Sequence, residues 1–414
     1  MDVSGVQGDG EDRVRRTDGT SIENRKSSTQ QSVTSNGGAF GATKRQADAI
    51  RSVLFVTRCF PPTKGGMERF ASDLHQAVSE KTDITLLSWG GSKKALIFVL
   101  PYFFVRSFWL LLTKRIDIIH AQDGVVSIVC IPLKLIFKKP VVVVIHGLDV
   151  TYKNSLYQRL IRWSLSRADA IACISGAAKA EVTSRGITEA KVRVIPVGIT
   201  DDLFIDNKQL ARQKASEFVP GLQSKTKLLL ASGRLVERKG VDWFVGNVMP
   251  QLAEKHPDVL LVVSGEGAWR QQVEVAIEKN GMAGNVIMLG RTSDEQLKLL
   301  YNAADCFVMP NVTVPGDMEG FGRVLLEAAL CKVPVVASGI EGIVDAIIDG
   351  KNGTLVHERE APEFIRVILE VIETPKLAQK QGKDARTYTL DHYGWPTIAE
   401  QYLKVYTKVQ KVQP

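Results

Sequence analysis

Short unbroken apolar runs recur along the chain, each followed by a longer amphipathic stretch, and this alternation constrains the fold more than any other feature. Runs stand at 52–57, 84–88, 116–120, 141–146, 170–174 and 192–196, and after a polar interval at 227–232, 259–265, 286–289, 306–310, 333–337 and 353–356. Strands apolar on both faces and alternating with helices predict parallel sheets covered on both sides. Helical patterns read at 67–79, 243–255, 268–280, 294–304 and 323–331. The pattern predicts two doubly wound α/β halves joined near 200–225, their strand ends facing a central cleft where a ligand is expected. The first half is read as 49–207 and the second as 208–391.

With 414 residues the chain has room for two such cores. Residues 1–48 are poor in large apolar side chains and are read as a disordered tail. The opening shows no apolar signal region. The five cysteines, Cys59, Cys130, Cys173, Cys306 and Cys331, lack CxxC spacing and are expected to be reduced core residues of a cytoplasmic protein. The net charge of +8 is uneven: residues 51–214 hold 24 Lys/Arg against 13 Asp/Glu, and residues 215–414 hold 22 against 25. A basic first half suits an acidic partner, although a solvated surface explains the charge alone equally well.

Segment 95–112, ALIFVLPYFFVRSFWLLL, has the length of a marginal membrane span. Pro101 and Arg106 interrupt it and Lys93, Lys94, Lys114 and Arg115 flank it, so the expectation is a helix buried against its sheet. The alternative is a surface helix touching anionic lipid, which would make the protein peripheral at the inner face of a membrane.

Two clusters could carry chemistry. In Ser232-Gly-Arg-Leu-Val-Glu-Arg-Lys239-Gly240, Arg234 and Lys239 follow a strand end, where a guanidinium and an ammonium suit a diphosphate. In the stretch from Pro310 to Ala328, a loop leads through Glu319, Gly320, Phe321 and Gly322 into a helix bearing Glu327. Amides heading that helix would cradle an anion, and carboxylates can accept from vicinal hydroxyls. A carboxylate as closely flanked by Leu and Ala as Glu327 is expected to be buried and partnered. His146 closes an apolar run and reads equally well as core or as functional; His120 is read as structural. No DxD pair or Cys/His cluster has metal-site placement, so no metal or other cofactor is expected. The first glycine loop, Gly65-Gly66 after two prolines, is not GxGxxG, which argues against a dinucleotide dehydrogenase.

The pair Glu319 and Glu327, with seven residues between them in a stretch that opens E-G-F-G, resembles the signature of the retaining glycosyltransferase family 4, of GT-B fold. Pro61-Pro62 with Gly65-Gly66, HAQD at His120, His146-Gly147, Ser175, the Pro196–Gly198 turn and Gly265-Glu-Gly267 extend the resemblance from Ser52 to the C-terminus. It implies that Arg234 and Lys239 bind a donor diphosphate, Glu319 and the amides after it the donor sugar, and Glu327 the ribose. It also implies that His146 sits beside the sugar, that Gly65 and Gly66 let the first loop close over the diphosphate, that Arg291 neighbours the base, and that a helix within 392–414 crosses back to the first domain. Pro315-Gly-Asp-Met-Glu-Gly-Phe-Gly and His146-Gly147 with Asp149 are similar to mannosyltransferases of the phosphatidylinositol mannoside type. GDP-mannose is therefore the first donor expected, ahead of UDP-hexoses, with a glycan or lipid-linked acceptor and no nucleic acid. A nucleotide-sugar 2-epimerase and a non-catalytic nucleotide-sugar binder of the same fold stay open as alternatives.

Overall fold

The structure, a computed structural model, describes residues 50, 52–63, 65–91 and 95–411. The expected tail 1–48 lies outside the described residues, as do Lys93 and Lys94.

The first lobe runs β1 (Ser52–Thr57), α1 (Gly66–Ser79), β2 (Asp83–Ser88), α2 (Leu96–Thr113), β3 (Ile118–Ala121), α3 (Gly124–Phe137), β4 (Val141–Ile145), α4 (Leu148–Thr151), α5 (Ser155–Arg167), β5 (Ala170–Cys173), α6 (Gly176–Thr183) and β6 (Val192–Val194). Its six strands are parallel in the order β2-β1-β3-β4-β5-β6. The inner strands β1, β3, β4 and β5 are buried on both faces because α2, α3, α5 and α6 pack on one side and α1 on the other, while the edge strands β2 and β6 are partly exposed.

The second lobe runs α7 (Lys208–Ser216), β7 (Lys227–Ser232), α8 (Val241–Asn247), α9 (Met249–Lys255), β8 (Val259–Ser264), α10 (Arg270–Lys279), β9 (Val286–Gly290), α11 (Asp294–Ala303), β10 (Cys306–Met309), α12 (Arg323–Leu330), β11 (Val335–Ser338), α13 (Ile343–Ala346), β12 (Thr354–Val356), α14 (Ala361–Glu373) and α15 (Pro375–Tyr393). Its sheet is likewise parallel, in the order β12-β11-β10-β7-β8-β9. The chain thus has the expected pair of doubly wound sheets.

Three expectations need correction. The helix read across 243–255 is two helices, because Pro250 in the first turn of α9 has no N–H to continue α8. The interval read as linker contains α7, whose Asn207 side chain caps Leu210 N and whose buried residues are only the small Ala211 and Ala215. Segment 95–112 does form a helix, but α2 buries only one side. Val99, Phe103, Leu110 and Leu111 join the core while Phe98 (77% exposed), Ile97 and Trp109 face outward.

The last helix, α16 (Trp395–Lys411), returns to the first lobe and packs along α1. Its Tyr406 hydroxyl lies 2.7 Å from His120 Nδ1, and His120 Nε2 lies 2.6 Å from Gln122 Oε1. An amide oxygen only accepts, so Nε2 carries the proton and Nδ1 accepts from the tyrosine. Burial lowers the His120 pKa to about 4, and the ring stacks 4.3 Å from Phe55. His120 is a structural residue that fastens α16 to β3.

Candidate functional site

The site's first wall begins where β7 ends. Gly233 and Arg234 lead into a tight turn, Glu237–Lys239, closed by Gly240 at φ 59°. A side chain on Gly240 would bring Cβ within 2.1 Å of Pro310 O, so only glycine permits this turn to lie against the loop after β10. The turn delivers Lys239 to the second cluster. Its Nζ donates to Glu319 Oε2 at 2.6 Å, Asn311 Nδ2 donates to the same oxygen at 3.3 Å, and Arg238 Nε stands 3.6 Å away. Arg238 also holds Asp317 at 2.6 Å. Burial alone would raise the Glu319 carboxyl, but Lys239, Arg238 and Asn311 outweigh it and hold the pKa at about 2. The carboxylate is therefore charged at neutral pH.

Glu319 is also fixed through its backbone. Its N–H donates to Glu341 Oε2 at 2.5 Å and its carbonyl accepts from Gly342 N at 3.1 Å. The amides of Gly320, Phe321 and Gly322 then head α12, and among the described residues no acceptor takes them. Such a row of free N–H groups suits an anionic or strongly polar ligand.

Glu327 is buried, as its flanking residues suggested, and it is already partnered. Tyr301 donates to Oε2 at 2.9 Å and Arg323 Nε to Oε1 at 3.2 Å. Arg69 of α1 reaches to 3.8 Å from Oε1, and Arg323 Nη2 pairs with Asp73 of α1 at 2.9 Å. Helix α12 is thereby tied to the first lobe by an ionic network.

The facing wall carries His146 after β4. Asp149 accepts from His146 N at 3.0 Å and from Gly124 N at 3.1 Å, so one buried carboxylate sets the turn. Its own pKa is raised, chiefly by that burial. His146 Nε2 donates to Gln122 O at 3.1 Å, which fixes the orientation of the ring. A Cβ on Gly320 would stand 2.8 Å from His146 O. Glycine there lets the Glu319 loop come directly against His146.

The structure thus brings Lys239, Glu319, Gly320 and His146 together. Arg234 is exposed at the carboxyl end of β7, beside a small recess lined by Gly233, Lys239, Ser264 and Asn311. Gly65 precedes α1 and Gly66 begins it; both are exposed, and the same helix supplies Arg69 and Asp73. Arg291 is exposed after the edge strand β9, with β8 between it and β7. Sequence reasoning missed Arg238, Asn311 and the Arg69–Arg323 network. Arg238 sits next to Lys239 in the sequence, and nothing in a three-residue turn says which cation points inward. A larger cavity of about 540 Å³ lies at the opposite, amino ends of the second sheet's strands, near Lys208, Lys227, Asp305 and Lys332, away from this chemistry. Among the described residues no group of three His, Cys, Asp or Glu is placed to hold a metal ion.

Comparison with known proteins gives this geometry a family. Residues 64–203 match the description Glycosyltransferase Family 4, and residues 212–388 match Glycosyl transferases group 1. The chain is 29% identical over 300 residues to an uncharacterized glycosyltransferase of Methanocaldococcus jannaschii, covering 70% of this chain and 75% of that protein. It is 25% identical to the GDP-mannose-dependent alpha-(1-6)-phosphatidylinositol monomannoside mannosyltransferase of Mycolicibacterium smegmatis, covering 83% of this chain and 95% of that enzyme. Its fold is similar to that of Anabaena HepE in complex with UDP, with a TM-score of 0.70 at 19% identity over 86% of this chain and 100% of that one. The two family matches together take in most of the chain, and with the paired parallel sheets they show that it belongs to the glycosyltransferases of GT-B fold.

Proposed function

We propose that this chain is a retaining, metal-independent hexosyltransferase that moves mannose from GDP-mannose to a lipid-linked acceptor at the cytoplasmic face of a membrane. The observation that carries the reading is the Glu319 carboxylate, buried, ionised and held by Lys239 where the Gly320 loop meets His146. Glu319 and the amides of Gly320, Phe321 and Gly322 hold the hexose. Arg234 and Lys239 take the diphosphate, and Glu327 faces the ribose once Arg69 yields its place. Gly65 and Gly66 leave room for the diphosphate beside α1, and Arg291 stands on the side of the base.

Breaking the anomeric bond leaves positive charge on the sugar and negative charge on the diphosphate. Preorganised cations at the diphosphate lower that barrier, so no divalent ion is needed. The acceptor oxygen attacks C1 from the face the diphosphate leaves, and its proton passes to the departing phosphate oxygen. Similarity to the Mycolicibacterium GDP-mannose-dependent phosphatidylinositol monomannoside mannosyltransferase, over nearly the whole length of that enzyme, supports mannose and a lipid-linked acceptor.

Membrane lipid extract incubated with labelled GDP-mannose, UDP-glucose or UDP-N-acetylglucosamine tests the proposal. Label should enter lipid from GDP-mannose, with or without a chelator, and the product should keep the α configuration. Transfer from a uridine sugar alone would move the donor assignment, and a free 2-epimer formed without acceptor would replace transfer by epimerisation.

A further inference from the structure

We infer that α2, α3 and α5 form one docking face for an anionic lipid bilayer, on which the first lobe lies flat. The inference deepens the proposed use of a lipid-linked acceptor but rests on separate observations.

The three helices pack side by side on one face of the first sheet. Together they carry no Asp or Glu, and their five cations include the exposed Arg106, Arg159, Arg162 and Arg167. From residue 95 to 167 only three acids occur. Asp123 and Asp149 are buried beneath the layer, and Asp117 accepts from Ser52 N at its foot. The outer surface is also apolar. On α2, Ile97, Phe98, Val105 and Trp109 are 73%, 77%, 66% and 56% exposed, and Leu135, Ile136 and Leu156 extend the apolar surface across α3 and α5. A soluble surface rarely exposes so many large apolar side chains together. Aromatic and aliphatic groups with cations among them and no acid match the boundary between anionic headgroups and acyl chains.

By length and composition α2 could cross a membrane. However, its inner residues Val99, Phe103, Leu110 and Leu111 are committed to the core shared with β1. Pulling the helix out to span would expose that core, so the helix lies in the interface with its outer side in lipid. The face leads towards the site: Leu148 and Tyr152, both exposed, connect His146-Gly147 to the start of α5. An acceptor with its tail in the bilayer could present its head at the cleft along this edge.

Flotation of the full chain, without any sugar nucleotide, tests the face. Vesicles of phosphatidylcholine alone are compared with vesicles in which phosphatidylglycerol is a third of the lipid. The wild type should float with the anionic vesicles and much less with the neutral ones, with a blue shift of tryptophan emission. F98S/W109S, altered only at exposed positions, should bind at least about tenfold more weakly. R159E/R162E should also bind about tenfold or more weakly, since each cation near an anionic surface contributes roughly fivefold. A wild type that stays in the soluble fraction with anionic vesicles overturns the inference, as does either variant floating like the wild type. So does a dimer in sedimentation that F98S/W109S dissolves, because a second copy of the chain would then be the occupant. Failure to find a mannosyl donor leaves these outcomes unchanged, so the two proposals fail separately.

Discussion

Lys239 Nζ donates to Glu319 Oε2 at 2.6 Å, joining the turn after β7 to the loop before α12. The two residues come from the sequence's two chemically suggestive clusters, 80 positions apart, and each solves the other's burial. Leaving a buried charge wholly unpaired costs roughly 3–5 kcal/mol, but Arg238 and Asn311 still face Glu319 when Lys239 is removed. Lys239→Ala should therefore lower stability by less than that range, measured by urea unfolding, and reduce transfer by about two to three orders of magnitude. Glu319→Gln should lose a similar share of turnover with a smaller stability loss.

The same pair sets an acid limit. The folded Glu319 pKa of about 2 lies below its ordinary value of 4.5. A depressed carboxylate contributes stability that is fully present above the unfolded pKa and is lost as pH falls towards the folded one. Unfolding free energy should thus fall between about pH 4.5 and pH 2, by on the order of 3 kcal/mol from this group. Urea titrations across that window should show a shallower acid limb for Glu319→Gln.

Gly240 should tolerate no side chain. A Cβ would meet Pro310 O at 2.1 Å, at a φ of 59°. Gly240→Ala is expected to cost about 2 kcal/mol or more, since strain at a positive φ adds to the clash. Because the displaced turn carries Lys239, nucleotide affinity should fall with stability. Calorimetry of the variant with nucleoside diphosphates reads both effects.

Tyr406→Phe should leave His120 Nδ1 a buried acceptor without a donor, at a cost of about 1–3 kcal/mol. The loss should appear as a lowered Tm, with the far-ultraviolet spectrum unchanged.

Much of the fold was legible because parallel strands buried on both faces must be apolar throughout, as in VVVVI of β4. Helix α7 escaped because its buried residues are two alanines, too small to show a period. The candidate site was legible where a residue type is chemically out of place, as with Glu327 among leucines and alanines. Arg238 and Asn311 were not legible as site residues, since their roles depend on which way a turn points and on what a buried carboxylate meets across the loop. The outward side of α2 lay hidden for a related reason. An apolar helix reads the same whether one side or both are covered, and only the packed sheet shows the uncovered side.

Thermal denaturation with GDP, UDP or ADP, on the wild type and Lys239→Ala, reads nucleotide binding at the Lys239–Glu319 pair. A nucleotide that binds only the folded state raises Tm by mass action. Tm should rise more with GDP than with UDP or ADP, and the rise should be lost in Lys239→Ala. A chain that responds to no nucleotide, or a Lys239→Ala variant that responds like the wild type, would contradict binding at this pair.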